Sequence, residues 1–130
     1  MSGILIKAVI DTNVIFMALY DEKSKAGRII DAGIEGKIKL YSPESVKEEI
    51  SRVLIKELNY SEKDIEKYVD ALPIEWIGKE MYLSFLEKTK VKHKADKPVE
   101  AVALMLNCGI LSADAHFKDR VDINDLLEKL

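Results

Sequence analysis

The sequence predicts an α/β fold, a sandwich of helices around a mainly parallel central sheet. Short apolar segments alternate with longer segments of helical periodicity, and this alternation is typical of parallel-sheet folds. Two of the apolar segments end on an aspartate, at Asp11 and Asp114. No repeat or linker divides the 130 residues, so we expect one domain, 1–130.

The first quarter of the chain shows this alternation. Residues 4–10 are a mostly apolar run that predicts a buried strand, and residues 14–20 continue as an apolar helix. Residues 24–36 carry isoleucines at near-helical spacing and stop at Gly36, which predicts a helix with a glycine C-cap. Residues 37–41 predict a short strand.

Capping signals define the remaining helices. Pro43 opens a helix with an apolar stripe, Ser61 and Asp64 resemble a capping box for a helix through about Leu72, and Pro98 begins a helix that reaches Asn107. Further helices are predicted at 79–88 and after a cap at Asn124. Further strands are predicted at 74–77, 110–112 and 121–123.

Composition sets limits on the class of protein. A hydrophobic content of 48% with 33% charged residues is globular rather than disordered. No apolar run approaches the roughly 18 residues of a membrane span, and no signal-type segment is visible, so we expect a cytoplasmic protein. Cys108 is the only cysteine and is expected to be a small buried hydrophobe. The net charge of −3 neither indicates nor excludes nucleic-acid binding, which depends on where the charges lie.

Asp11 and Asp114 are the first candidate site residues. The carboxyl ends of parallel strands are where ligands and metals bind, and aspartate is costly to bury without a partner. Asn13 lies two residues after Asp11, and Ser112 lies two residues before Asp114. Both add neutral polar groups to the candidate site. The alternative is that Asp11 caps the following helix and that Asp114 belongs to a turn.

Helix geometry selects two further carboxylates. At 100° per residue, Glu49 lies at the edge of the apolar stripe and Glu48 on the opposite, solvent side. Asp96 precedes the Pro98 helix, where it is either a site residue or an N-cap, and Glu100 is expected to be a solvated charge. Glu49 is otherwise an ordinary boundary residue.

The four carboxylates together predict a metal site if the fold brings them together. Two carboxylates about 4 Å apart repel by roughly 4 kcal/mol at an effective dielectric constant of about 20. A fold tolerates this by protonating some of them or by placing a cation between them. Oxygen-only ligands favour Mg²⁺ or Mn²⁺ over zinc.

Four segments in this order carry a resemblance to a known family. They are residues 9–13, residues 42–54 with Glu49, residues 96–104 and residues 110–117. The chain resembles the PIN-domain family of metal-dependent ribonucleases along essentially its whole length. By this resemblance Asp11, Glu49, Asp96 and Asp114 match the acidic quartet of the family.

The resemblance also implies a fold and a chemistry. The family fold is a three-layer α/β/α sandwich, and its members hydrolyse RNA phosphodiester bonds with Mg²⁺ or Mn²⁺. Asp11, Asp96 and Asp114 are expected to bind the metal, Glu49 to orient water or hold a second ion, and Asn13 and Ser112 to be accessory. Many members are toxins held inactive by an antitoxin, many are homodimers, and others process RNA. His116 departs from the usual pattern and is expected to have a surface or packing role, with a contact to a phosphate group as the alternative.

A lysine-rich segment precedes Asp96 and is a candidate for binding the RNA backbone. Its members are Lys90, Lys92, Lys94 and Lys97. The alternative is a solvated connector without a role in binding.

Three other functions compete with the nuclease. A haloacid-dehalogenase-type phosphatase would have a second acid at position 13, where this chain has Asn13. A receiver-like phosphorylation module would have acids before Asp11, where this chain is apolar. A metal- or RNA-binding module without catalytic turnover stays open.

Overall fold

Four parallel strands form the central sheet. The computed structural model describes residues 6–113, 117 and 120–130. Asp114, which is a predicted site residue, and His116 both lie outside these ranges. The strands are β1 (Ile6–Ile10), β2 (Ile38–Pro43), β3 (Ile74–Ile77) and β4 (Gly109–Leu111), in the spatial order β3-β2-β1-β4. Each neighbouring pair is parallel, so all four carboxyl ends lie at one edge of the sheet.

The described ranges contain seven α-helices and two short 3₁₀ helices, and all except the last α-helix lie between two strands in the sequence. The α-helices are α1 (Thr12–Tyr20), α2 (Lys25–Ile34), α3 (Glu44–Leu58), α4 (Glu62–Tyr68), α5 (Lys79–Tyr82), α6 (Lys97–Leu106) and α7 (Ile123–Lys129). The 3₁₀ helices are Leu83–Lys88 and Lys94–Asp96. None of the helices in the described ranges is long and apolar enough to cross a membrane.

The strand order determines which face each helix covers. From β1 through β2 to β3 the chain moves in one direction across the sheet, and right-handed crossovers then place α1, α2 and α3 on one face. The connection from β3 to β4 returns in the opposite direction, which places α6 on the other face. In agreement, α1 packs against α2 and α3, while α6 packs against β1, β2 and β4. The predicted three-layer α/β/α sandwich is confirmed.

Strands β1 and β4 carry a deeply buried part of the core. Val9 and Ile10 of β1 and Ile110 of β4 are fully buried, and Leu111 is 1% exposed. Burial on both faces of the sheet explains why these strands have almost continuous apolar sequences. Strand order reverses between β1 and β4, and such a switch point leaves a crevice beyond the carboxyl ends of the two strands.

Two of the helix caps predicted from the sequence are present in the structure. Ser61 and Asp64 form the predicted capping box, although α4 ends at Tyr68 rather than near Leu72. Gly36 has a φ of +78°, the left-handed conformation expected of a residue that ends α2. Cys108 is half-buried immediately before β4, and burial raises the pKa of its thiol.

Three predictions for the second half of the chain are wrong in detail. The helix predicted at 79–88 is α-helical only to Tyr82 and continues as a 3₁₀ helix. The strand predicted at 121–123 is reduced to one bridge between Arg120 and Ile110. The last helix is capped by Asp122, not Asn124, because the Asp122 side chain accepts hydrogen bonds from two backbone N–H groups of the first turn.

Candidate active site

A cleft of about 820 Å³ opens at the switch point, beyond the carboxyl ends of β1 and β4. One part of its lining is acidic and polar, and another part is apolar. The polar part includes Asp11, Thr12, Asn13, Glu49, Asp96 and Ser112. The apolar part includes Val14, Phe16, Met17, Val53, Val121 and Ile123. Five of the six predicted acidic and accessory residues therefore line one cleft, and the sixth, Asp114, lies outside the described residues.

The register of the sheet places Asp11 beside Ser112. Ile10 pairs with Leu111, so the residues that follow them leave the sheet as neighbours. The Asp11 backbone N–H donates to the Leu111 carbonyl at 2.9 Å, and the Ser112 hydroxyl donates to Asp11 Oδ2 at 2.9 Å. Both side chains are more than nine-tenths buried. Asp11 is therefore held by the sheet and by a hydrogen bond from Ser112.

Asp11 is also the N-cap of α1, the alternative that the sequence left open. Its Oδ1 accepts a hydrogen bond from the Thr12 backbone N–H at 2.8 Å. Capping does not exclude metal binding, because each carboxylate oxygen has two lone pairs and can accept a second interaction. The cap and the hydrogen bond from Ser112 instead fix the orientation of the carboxylate.

Asn13 ties the first strand end to the turn after β4. Its Oδ1 accepts a hydrogen bond from the Ala113 backbone N–H at 3.0 Å, and its Nδ2 lies 3.5 Å from Ser112 Oγ. These contacts hold the backbone immediately before residue 114. Asn13 therefore orders the edge of the cleft from an exposed position.

Glu49 reaches the cleft from α3, whereas Glu48 is exposed, as the helix phase predicted. Burial raises the pKa of the half-buried Glu49 carboxyl, and the negative charges of Asp11 and Asp96 raise it further. The Thr12 side chain and the Arg52 guanidinium oppose this shift and lower the pKa of Glu49. Asp11 and Asp96 are thus close enough to Glu49 for their charges to repel its ionised form.

Asp96 enters the cleft from the opposite layer, at the junction between the 3₁₀ helix Lys94–Asp96 and α6. Its side chain makes no capping hydrogen bond to α6, so it does not act as the conventional N-cap that was its alternative. Carboxylates from β1, α3 and the start of α6 therefore line the same cleft.

The expectation that Glu100 is solvated is wrong. Glu100 is 8% exposed, and its Oε1 accepts a hydrogen bond from the Lys90 backbone N–H. Helix phase alone places Glu100 on the polar side of α6, but the segment that precedes Asp96 folds over this position. Glu100 thus anchors the segment that carries Asp96.

Two buried hydroxyl groups beside the site escaped the sequence analysis. Ser42 is fully buried at the end of β2, and its hydroxyl donates to the Ile10 carbonyl at 2.7 Å. Thr12 Oγ1 is buried and makes no hydrogen bond of normal geometry within the described residues, although it lowers the pKa of Glu49. The position of each serine or threonine directly at a predicted strand end was the available signal.

The cations at the cleft are not those that the sequence suggested. Lys90, Lys92 and Lys94 are exposed and Lys97 is half-buried, and none of the four lines the cleft. Lys25 and Arg120 do line it. Neither stood out in the sequence, because acidic residues are interspersed with the basic ones around both positions.

The ligand chemistry of the cleft suits a hard cation. Its polar side chains offer carboxylate, hydroxyl and amide oxygens, which are the preferred ligands of Mg²⁺ and Mn²⁺. A cation would also relieve the repulsion that raises the pKa of Glu49. Within the described ranges, no three His, Cys, Asp or Glu side chains lie close enough to form a complete metal site by themselves. Asp114, the fourth predicted carboxylate, is not among the residues to which this finding applies.

Comparisons with known proteins identify a family for the sequence and a solved structure with a similar fold. A family model described as a PIN domain matches residues 7–123. The fold is similar to that of a chain in the crystal structure of VapBC2 from Rickettsia felis bound to a DNA fragment from their promoter. That similarity has a TM-score of 0.58 and 14% sequence identity, and it covers 87% of this chain and 92% of the other. No curated protein matches the sequence.

Proposed function

The chain belongs to the PIN-domain family, and from this premise we propose that it is a divalent-metal-dependent endoribonuclease that hydrolyses RNA phosphodiester bonds. The observation that carries the proposal is that three carboxylates from separate elements, Asp11, Glu49 and Asp96, line one cleft at the switch point of the sheet. The raised pKa of Glu49 supports it, because a fold that concentrates like charges without a ligand loses stability.

Asp11, Asp96 and Asp114 are the proposed metal-binding residues, with Mg²⁺ or Mn²⁺ as the cofactor. When bound, such an ion would polarise a phosphate group and lower the pKa of water. Asp11 is held in a fixed orientation, since the Thr12 N–H and the Ser112 hydroxyl each bind one of its two oxygens. A rigid carboxylate loses little freedom when it binds a ligand, which favours both affinity and positioning.

The other polar residues have supporting roles in this proposal. Glu49, whose raised pKa favours proton uptake, has the proposed role of orienting a water molecule and accepting its proton, or of holding a second ion. Ser112 orients Asp11, and Asn13 holds the backbone that leads to residue 114. Asp11, Glu49, Asp96 and Asp114 together form the proposed catalytic set.

The biological role that we propose is that of a toxin in a toxin–antitoxin pair or of an RNA-processing nuclease. The similarity to a chain of the VapBC2 structure supports the first of these, since that protein was crystallised as an assembly on DNA from its promoter. An antitoxin and a second copy of this chain are the corresponding proposed partners.

Substitution of Asp11 tests the nuclease directly. We expect Asp11→Asn to abolish Mn²⁺-dependent cleavage of a labelled single-stranded RNA, because an amide is a much weaker metal ligand than a carboxylate. Asp31→Asn, which removes the same charge from an exposed position on α2, is the control and should cleave like the wild type. Full cleavage by Asp11→Asn would contradict the proposal. RNA binding without cleavage by the wild type would favour a binding module instead.

A further inference from the structure

Arg120 is held in a fixed position at the edge of the cleft. Its backbone forms a parallel bridge with Ile110, and the following residue donates its N–H to the Ile110 carbonyl at 2.8 Å. The Arg120 side chain donates from Nε to the Ser112 carbonyl at 2.8 Å. Since the Ser112 hydroxyl donates to Asp11, Ser112 connects the Arg120 guanidinium to the Asp11 carboxylate.

Among the acidic residues that the structure describes, none forms an ion pair with Arg120. The cation that lowers the pKa of Glu49 is Arg52 of α3. Nε is engaged, whereas the two Nη groups of Arg120 make no hydrogen bond to any described residue.

A polyanionic substrate such as RNA would explain why an arginine is held in a fixed position beside an acidic cleft. RNA must bring a phosphate close to a cluster of carboxylates, which repels it, so a positive group beside the cluster has to offset the repulsion. A guanidinium binds phosphate through two parallel hydrogen bonds, and one that is already oriented loses less freedom on binding. Arg120 has a guanidinium that is already oriented by its bond to the Ser112 carbonyl, and it lines the same cleft as the acidic residues.

We propose that Arg120 binds a phosphate group of the RNA substrate at the edge of the acidic cleft and thereby positions the chain for cleavage. This inference rests on the proposed nuclease function and adds a substrate-binding residue to it. Lys25, which lines the same cleft from the start of α2, is the second cation available to the RNA backbone.

The test compares Arg120→Ala with Arg28→Ala. Arg28 is exposed on α2 and does not line the cleft, so both variants lose one positive charge but only the first loses the proposed contact. We expect Arg120→Ala to lower kcat/KM for a short single-stranded RNA by about 10- to 100-fold, the usual effect of losing a charged hydrogen bond. The slope of log kcat/KM against log salt concentration should become shallower by about 0.7, as expected for one phosphate contact on a single strand. Arg28→Ala should leave both quantities within twofold of the wild type.

Two further variants separate binding from folding. Arg120→Gln removes the charge but keeps an N–H donor for the Ser112 carbonyl, and Arg120→Lys keeps the charge but loses the planar pair of donors. We expect the salt slope of Arg120→Gln to match that of Arg120→Ala, and that of Arg120→Lys to stay near the wild type with a reduced kcat/KM. A purely structural arginine would show a lower melting temperature with an unchanged salt slope, and this result would overturn the inference.

Binding measured without turnover distinguishes this inference from the proposed function. The fluorescence anisotropy of a labelled RNA in EDTA reports its affinity at several salt concentrations. If the wild type binds but never cleaves, the nuclease proposal fails, while a shallower salt slope for Arg120→Gln still supports the phosphate contact. If the wild type cleaves and Arg120→Gln binds and cleaves like Arg28→Ala, only the role of Arg120 is refuted. If the wild type neither binds nor cleaves RNA, both are refuted.

Discussion

Replacing Glu49 with glutamine should stabilise the metal-free protein. Burial and the charges of Asp11 and Asp96 raise the pKa of Glu49, so its ionised form is less favourable in the folded protein than in the unfolded chain. Glutamine has nearly the same shape and removes this charge. Glu48→Gln is the matched control, because Glu48 is adjacent, is exposed, and has no comparable environment.

The expected gain is modest because Glu49 is only half-buried. After allowance for solvent screening of such a carboxylate, we expect about 0.5–1 kcal/mol in the free energy of unfolding. For a domain of this size that corresponds to a rise of about 2–4 °C in Tm.

The sign of the effect depends on pH. A raised folded-state pKa makes ionised Glu49 destabilising above that pKa, and the penalty disappears once the pH falls below the unfolded value near 4.5. The advantage of Glu49→Gln should therefore be present at pH 7 and absent at about pH 4.

Thermal unfolding in EDTA and in Mn²⁺, at both pH values, tests the reasoning. Added Mn²⁺ at pH 7 should raise the Tm of the wild type and of Glu48→Gln more than that of Glu49→Gln. The reasoning is refuted if Glu49→Gln in EDTA is less stable than the wild type at pH 7, or if the two glutamine variants behave alike at every pH.

Three other substitutions test the surroundings of the site. Ser112→Ala should lower the free energy of unfolding by about 1–2 kcal/mol, measured by urea denaturation, because Asp11 loses a buried hydrogen bond. Glu100→Ala should cost about 2 kcal/mol and Glu100→Gln about half as much, since glutamine still offers an acceptor to the Lys90 N–H; equal costs would show that this bond is unimportant. The triple substitution of Lys90, Lys92 and Lys94 by alanine should weaken RNA binding and reduce its salt slope by up to about 2 if these lysines contact phosphates, and an unchanged slope would exclude them.

Strand ends and helix phase made much of the site predictable. An aspartate directly after an apolar strand has few positions available in a parallel sheet, and the structure places Asp11 beside Ser112 at the switch point. The phase of α3 distinguished Glu49 from Glu48, because the apolar stripe fixes which side of a helix faces the core. The end of a strand and the phase of a helix depend only on residues that are neighbours in the sequence, so both could be predicted without knowing the fold.

Features that depend on long-range packing were not predictable. Glu100 is on the polar side of α6, and only the folding of the preceding segment over the helix buries it. Arg120 reaches the cleft because its backbone returns to pair with β4, a contact that no periodicity or motif records. The same argument applies to Lys25, which the packing of α2 against α1 brings to the cleft.

The most direct test of the metal-dependent site is a crystal structure of the protein soaked in Mn²⁺, with data collected to show the anomalous signal of manganese. The nuclease proposal predicts a peak in the cleft, within bonding distance of a carboxylate oxygen of Asp11 at the carboxyl end of β1. A cleft without such a peak at saturating Mn²⁺, or manganese bound only elsewhere on the surface, would contradict it.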